Sequence, residues 1–108
     1  MKKRKMSVRG SKTGRPVMRL LDVLGKRWTL RILWELQDQC VTFRELQERC
    51  DDVSPTSLNS RLKELRELNL VVHGDSGYEY TESGKELSEH LLKLSQWSAK
   101  WWGDAPAG

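Results

Sequence analysis

Two helix-start signals lie close together between Thr42 and Leu70, and this pair constrains the fold more than any other feature of the chain. Thr42 and Glu45 have the spacing of a capping box, in which each side chain accepts a hydrogen bond from a free backbone N–H group at the helix start. Ser54 and Pro55 form the second signal, because serine accepts such a hydrogen bond and proline needs none at the first helical position. We therefore predict two short helices joined by a tight turn.

The second of these helices has a narrow apolar stripe, and the rest of its surface is polar. The stripe repeats at i, i+4 and i+7 and predicts one buried face, formed by Leu58, Leu62 and Leu65. At 100° per residue, the side chains that fall on other faces are Thr56, Asn59, Ser60 and Lys63. Hydrogen-bonding side chains of this length reach base edges in the DNA major groove. The alternative is an ordinary amphipathic surface helix, which shows the same periodicity.

A β-hairpin is predicted directly after the second helix. Two short runs with strand character, residues 70–73 and 78–81, are separated by Gly74-Asp75-Ser76-Gly77. Helix, helix and hairpin follow one another in this order in a winged helix. The sequence therefore predicts a mainly α fold, a winged helix-turn-helix with a small β-hairpin wing and with extra N- and C-terminal helices.

The flanking helices carry more apolar surface than so small a body can bury. Before the motif, one apolar face ends at Gly25 and comprises Val17, Leu20, Leu21 and Leu24, and the next comprises Trp28, Ile32, Leu33 and Leu36. After the motif, Thr81 is predicted to cap a long helix from about Glu82 to Trp102. This helix is apolar on more than one side, so it either wraps onto its own domain or pairs with a second copy. The predicted dimer interface comprises Val17, Met18, Leu21, Leu91, Leu94, Trp97 and Trp101.

Several motifs together resemble one family, the HxlR-type winged-helix transcriptional regulators. They occur in the family's order over about residues 16–102, and they are Leu21 to Leu30, Phe43 to Leu46, Val53 to Pro55, Leu58 to Leu70 and Tyr78 to Gly84. The resemblance implies a small cytoplasmic regulator that dimerises through its terminal helices and binds palindromic operators in double-stranded DNA. Some members sense reactive small molecules through a cysteine just before the first helix.

The sequence departs from that family pattern in three places. Arg15 precedes Pro16-Val17 where the sensing cysteine commonly stands, so the usual thiol switch is not expected. Thr56 and Ser60 occupy positions where the recognition helix often carries arginines, which predicts a different sequence preference. The short wing loop contains no arginine, so we expect the wing to contribute little to binding.

Charge is unevenly distributed along the chain. The formal net charge is +4, yet seven of the 19 Lys and Arg residues lie in residues 1–15, which contain no acidic residue. Residues 16–108 therefore carry 12 basic and 15 acidic side chains, so the body is mildly acidic. We predict that residues 1–14 form a disordered basic tail, which either contacts DNA phosphates or only aids solubility, and that residues 15–108 form the winged helix-turn-helix domain with a C-terminal dimerisation helix.

Enzymatic and cofactor functions find little support in the sequence. His73 and His90 have no partner at catalytic or metal-ligand spacing, and Cys40 and Cys50 match no zinc or redox motif. Cys50 is predicted to lie in the core, while Cys40 is the better candidate for thiol chemistry. We expect no catalytic residue, no metal, no cofactor and no membrane span, and we assign no effector. The basic N-terminus lacks the apolar run of a signal peptide, so we expect a cytoplasmic protein.

Two classes of function remain after this reasoning. The first is a sequence-specific regulator in which Ser54 caps the recognition helix and Asn59 contacts adenine through its amide. The second is a winged-helix protein-interaction module with a non-specific DNA-binding basic tail. The predicted DNA-binding residues are Lys3, Arg4, Lys5, Arg44, Ser54, Thr56, Ser57, Asn59, Ser60, Arg61 and Lys63.

Overall fold

The computed structural model describes residues 15–37 and 39–103, and the predicted basic tail lies outside these ranges. In chain order the described elements are α1 (Pro16–Leu24), α2 (Thr29–Glu35), α3 (Phe43–Arg49), α4 (Pro55–Glu67), β1 (Val71–Gly74), β2 (Gly77–Tyr80) and α5 (Glu82–Trp102). A mainly helical domain with a two-stranded antiparallel wing confirms the predicted fold class.

Both predicted helix starts are present with their hydrogen bonds. The Glu45 backbone N–H donates to Thr42 Oγ1 at 3.1 Å, and the Thr42 backbone N–H donates to Glu45 Oε1 at 2.9 Å. That backbone hydrogen bond lowers the pKa of the Glu45 carboxyl. At α4, the Ser57 backbone N–H donates to Ser54 Oγ at 3.1 Å, with Pro55 at the first helical position. These local signals fix where α3 and α4 begin.

The turn between α3 and α4 uses two left-handed residues. Asp51 and Asp52 have φ angles of 56° and 58°, a region that aspartate tolerates better than most residues. The Asp52 N–H donates to the Gln47 carbonyl at 2.8 Å, and the Val53 N–H donates to the Cys50 carbonyl at 3.1 Å. Because these bonds close the turn, α4 starts directly beside the end of α3.

The core lies where the helices meet the wing, and it includes the predicted leucine stripe of α4. Its members are Val23, Ile32, Leu33, Leu36, Val41, Leu46, Cys50, Val53, Leu58, Leu62, Leu65, Leu70, Val71, Tyr78 and Tyr80. The Tyr80 hydroxyl donates to the Leu33 carbonyl and so connects β2 to α2. Full burial of Cys50 confirms its predicted place in the core.

Trp28 does not lie on the face of α2 as predicted. Its φ angle of 78° puts its backbone in the left-handed region, so α2 begins one residue later, at Thr29. The ring packs against the edge of the core, and the Arg27 guanidinium lies 5.3 Å from the ring centroid. The apolar periodicity gave a wrong prediction for Trp28, because a capping residue can continue an apolar pattern without being part of the helix.

The junction between α4 and α5, hereafter the α4–α5 junction, is formed by backbone groups at the end of α4. Asn69 has a φ angle of 59°, and the next N–H, of Leu70, donates to the Leu65 carbonyl at 3.0 Å. Together with the bond from the Asn69 N–H to the Arg66 carbonyl at 2.9 Å, this is a Schellman motif. The Asn69 carbonyl then accepts from the hydroxyls at the start of α5, at 2.6 Å from Thr81 and 2.8 Å from Ser83.

The strands of the wing have the predicted length of four residues, but each lies one residue closer to the turn than predicted. β1 and β2 pair in the register Val71↔Tyr80 to Gly74↔Gly77, so only Asp75 and Ser76 form the turn. Leu70 and Thr81 were predicted as strand residues, but their backbone groups belong to the α4–α5 junction, where the Thr81 N–H donates to the Leu70 carbonyl at 3.1 Å. Val41 pairs with Tyr78 across the far side of β2, which attaches the wing to the segment before α3.

Candidate nucleic-acid interface

The polar side of α4 faces solvent while its leucine side is buried. Leu58, Leu62 and Leu65 are at most 1% exposed. The four residues predicted to lie away from this stripe, which are Thr56, Asn59, Ser60 and Lys63, are all exposed. The structure therefore presents a continuous set of hydrogen-bonding side chains along the outer side of α4.

The two predicted serines at the start of α4 are held by the helix cap. The Ser54 hydroxyl donates to Ser57 Oγ at 3.0 Å while it accepts from the Ser57 N–H. Ser57 is half-buried, and Ser54 is exposed. Both hydroxyls therefore contribute first to the position of the helix start.

Arg61 lies in an ion-pair cluster that the sequence reasoning missed. Its Nε is 3.1 Å from Glu64 Oε1, and Lys26, from the segment between α1 and α2, pairs with the other oxygen of the same carboxylate. Glu64 is 7% exposed, so the cluster joins the inner side of α4 to the body. The i, i+3 spacing of Arg61 and Glu64 could have indicated their pairing, but nothing in the sequence pointed to Lys26.

Arg44 points into solvent from the first turn of α3. Its side chain is 89% exposed, and its Nε is 3.9 Å from the exposed carboxylate of Glu48. Such a loose pair costs little to separate, so Arg44 is available to a phosphate. The remaining predicted contacts, Lys3, Arg4 and Lys5, lie outside the described residues.

A groove of about 700 Å³ separates α4 from β1, and we call it the α4–β1 groove. The polar residues that line it are Asn59, Lys63, Arg66, Glu67, Asn69 and His73. The His73 imidazole stacks on the Tyr78 ring, with centroids 4.0 Å apart and planes 6° from parallel. Arg66 and His73 were absent from the predicted site, because Arg66 lies in the last turn of α4 and His73 in a wing expected to contribute little.

Both cysteine thiols lie in surroundings that disfavour the thiolate. Partial desolvation, together with the carboxylates of Glu79 and Glu45, raises the pKa of the exposed Cys40. Burial raises the pKa of Cys50. A raised pKa lowers the nucleophilicity of a thiol at neutral pH.

Neither a metal cluster nor a membrane-spanning helix is present in the described parts of the chain. Across residues 15–37 and 39–103, no three His, Cys, Asp or Glu side chains are grouped so that they could hold a metal ion. Within the same ranges, the helices are too short or too polar to cross a bilayer.

The residues predicted for a dimer interface include most of the exposed apolar surface at the two ends of the domain. On α1, Val17 and Leu21 are each 51% exposed, while Met18 is half-buried. On α5, Leu91 packs partly against the core, and Leu92 is exposed. Four further exposed residues, hereafter the α5 apolar surface, are Leu94, Trp97, Trp101 and Trp102. Trp97 and Trp102 contact each other edge to face, with centroids 5.2 Å apart.

Comparison with known proteins matches this architecture. The model of a family described as HxlR-like helix-turn-helix matches residues 23–105. The uncharacterised HTH-type transcriptional regulator MJ0925 of Methanocaldococcus jannaschii is 33% identical, over 78% of this chain and 83% of that protein. YvaP of Bacillus subtilis, another uncharacterised HTH-type transcriptional regulator, is 34% identical over 75% of this chain and 82% of its own.

Two solved structures show the same fold. The quinone-bound YodB of B. subtilis superposes with a TM-score of 0.71 at 30% identity, over 78% of this chain and 96% of that one. A protein of Thermoplasma volcanium, described as a possible HxlR family transcriptional factor, superposes with a TM-score of 0.69 at 26% identity, over 81% of this chain and 84% of that one.

Proposed function

The chain belongs to the HxlR-like helix-turn-helix family of transcriptional regulators, and we propose that it acts as a homodimer that reads a palindromic operator in double-stranded DNA. The observation that carries this proposal is the outer side of α4, where exposed hydrogen-bonding side chains follow a capped helix start. In a helix-turn-helix, the second helix enters the major groove and its first turns contact base edges. In this chain that helix is α4.

Residues of α4 divide into two roles under this proposal. Thr56, Asn59 and Ser60 contact base edges, and Asn59 is suited to adenine because its amide can both donate and accept a hydrogen bond. Lys63 and Arg44 contact phosphates, which position the helix without reading sequence. Arg61 contributes a smaller share than predicted, because its guanidinium already pairs with Glu64.

The α5 apolar surface supports the homodimer. Leu94 is 60% exposed, Trp97 51% and Trp101 65%, which is unusual for large apolar side chains on a monomer surface. A two-fold axis would bring the same surface of two chains together and bury it. Two α4 helices related by that axis would read two half-sites about one DNA turn apart, which is why we expect a palindrome.

The experiment that tests the proposal is selection of duplexes from a random DNA pool, at near-physiological salt, with the full chain and with a chain lacking residues 1–14. Enrichment of a palindrome by both forms is the expected result. If no motif is enriched and the truncated chain binds no DNA, then the basic tail alone holds DNA and α4 does not read sequence. The proposal would then be wrong, and a protein-interaction role for the winged helix would gain support.

Replacing Asn59 or Ser60 with alanine is expected to reduce sequence preference without loss of the fold. Each substitution removes a side chain that we expect to form a hydrogen bond with a base edge. Discrimination between the selected palindrome and a one-base variant should therefore fall about tenfold for Asn59→Ala. The measurement is the ratio of dissociation constants for the two duplexes. Gln96→Ala, an exposed amide of α5, is the matched control and should leave this ratio unchanged. Equal losses on every duplex would argue against base reading.

Removing residues 1–14 is expected to weaken binding to all duplexes by the same factor. The deleted segment contains six Lys and Arg residues, and each phosphate neutralised contributes about 0.9 to the slope of log affinity against log salt concentration. The slope should therefore become shallower by up to about five, as measured by titrations at several salt concentrations. A truncated chain with an unchanged slope would show that the tail does not contact DNA.

A further inference from the structure

The basic side chains on the two sides of α4 differ in whether a carboxylate pairs with them. On the side that faces the segment between α1 and α2, Lys26 and Arg61 both pair with the buried carboxylate of Glu64. Because both cations are held by the same carboxylate, a phosphate on this side would have to compete with Glu64 for them.

On the other side, the α4–β1 groove contains basic side chains that no carboxylate of the described residues holds. Lys63 and Arg66 are exposed, and across the described parts of the chain neither forms an ion pair within 4 Å. Glu67 is the acidic residue of the groove, so the two cations exceed it by one charge. His73 adds a ring N–H donor from β1, and its stack on Tyr78 fixes the plane of the imidazole.

The groove also has the right extent and neighbours for a DNA strand. Asn59, Lys63 and Arg66 follow one another at i, i+4 and i+7, a span of about 10 Å along the helix axis. This span corresponds to about three base pairs at 3.4 Å each. Asn59, which we expect to contact a base, therefore precedes the basic residues Lys63 and Arg66 along the helix. This order suits a DNA backbone that runs alongside a helix in the major groove.

We propose that the α4–β1 groove binds the sugar–phosphate backbone of the DNA strand on the wing side of the major groove, with Arg66 and His73 as phosphate contacts beside Lys63. This inference rests on the function proposed above. It gives the wing a role through β1, although the turn residues Asp75 and Ser76 carry no basic side chain. Arginine and histidine N–H groups donate well to phosphate oxygens.

The test compares Arg66→Ala and His73→Phe in the full chain, on the selected duplex and on an unrelated one. His73→Phe keeps an aromatic ring to stack on Tyr78 and removes the N–H donor. We expect Arg66→Ala to bind both duplexes about tenfold more weakly, with a salt slope shallower by about one, and His73→Phe about threefold more weakly. Lys85→Ala is the matched control, because Lys85 lies in a cleft on the β2 side of the wing with Glu79 and Tyr80, and it should stay within about twofold of the original chain.

A second measurement locates the contact on the DNA. Single phosphates of the selected duplex are replaced by uncharged methylphosphonates, and each duplex is titrated with the original chain and with Arg66→Ala. At one or two positions the replacement should weaken DNA binding by the original chain. It should not weaken binding by Arg66→Ala any further, since the same contact cannot be lost twice.

Different failures have different meanings here. If both variants bind the selected duplex as the original chain does, with unchanged salt slope, the inference is wrong while the proposed regulator function stands. If the original chain binds no duplex but binds a poly-glutamate peptide, and Arg66→Ala weakens that binding, the groove is a protein-docking surface, and both the inference and the proposed function are overturned.

Discussion

Replacing both Leu94 and Trp97 with aspartate is expected to yield a monomer that binds a palindromic duplex at least about 100-fold more weakly than the original chain. The two side chains are half or more exposed on α5, and the double variant places four like charges at the interface of a symmetric pair. The dimer would then not form, and each α4 would bind its half-site independently. Molar mass by light scattering at micromolar concentration and titration of the duplex measure the two effects.

The same experiment contains its own controls. Gln96→Asp adds one acidic residue on the opposite side of α5, 200° from Leu94, so it should leave both the dimer and the affinity unchanged. A duplex with a single half-site should bind the double variant and the original chain with similar, weak affinity, because only one α4 contacts it in each case. If the double variant remains a dimer with unchanged affinity, the α5 apolar surface is not the dimer interface.

Gly84→Ala is expected to destabilise the domain by about 3 kcal/mol or more, the upper end of the usual range for overpacking. An added Cβ at Gly84 would lie 2.0 Å from the Leu70 carbonyl oxygen and 3.0 Å from the Tyr80 ring. Neither the oxygen nor its carbonyl carbon, at 3.1 Å, can move without breaking the bond from the Thr81 N–H that closes the α4–α5 junction. Urea denaturation at one fixed protomer concentration measures the loss of stability.

Gly74→Ala provides the control for this substitution. The same methyl group at Gly74 meets its nearest atom, a Glu79 carboxylate oxygen, at 3.9 Å, which is ordinary van der Waals contact. The free energy of unfolding of Gly74→Ala should therefore stay within about 0.5 kcal/mol of the original value. If the two variants lost equal stability, the close approach of α5 to Leu70 would not be the cause.

Local signals in the sequence were sufficient for the order of elements. The caps at Thr42 and Ser54 and the leucine stripe of α4 depend on residues within one or two turns of each other, and all three were confirmed. The approximate bounds predicted for α5 were also confirmed, and Thr81 caps its start by accepting from the Gly84 N–H. Trp28 was misplaced because its left-handed backbone continues an apolar pattern without being part of the helix.

The charge pattern of the candidate interface could not be predicted in the same way. Glu64 is separated by 38 residues from Lys26, and only the folded chain brings them together in the ion-pair cluster on one side of α4. His73 and Arg66 share a groove for the same reason, since β1 folds back beside the last turns of α4. Sequence spacing shows which residues share a helix face, whereas the side of the helix on which charge remains unpaired depends on tertiary contacts.

The hydrogen bonds of the Asn69 carbonyl have a consequence for operator geometry. Thr81 and Ser83 attach the start of α5 to the end of α4, so we expect a rotation of α5 to carry the end of α4 with it. The 21 residues of α5 extend about 30 Å, so a 5° change in how two α5 helices cross would displace the attached α4 by about 3 Å, close to the rise of one base pair. In the proposed dimer, α5 would therefore determine the separation of the half-sites, and α4 would select the bases within each half-site.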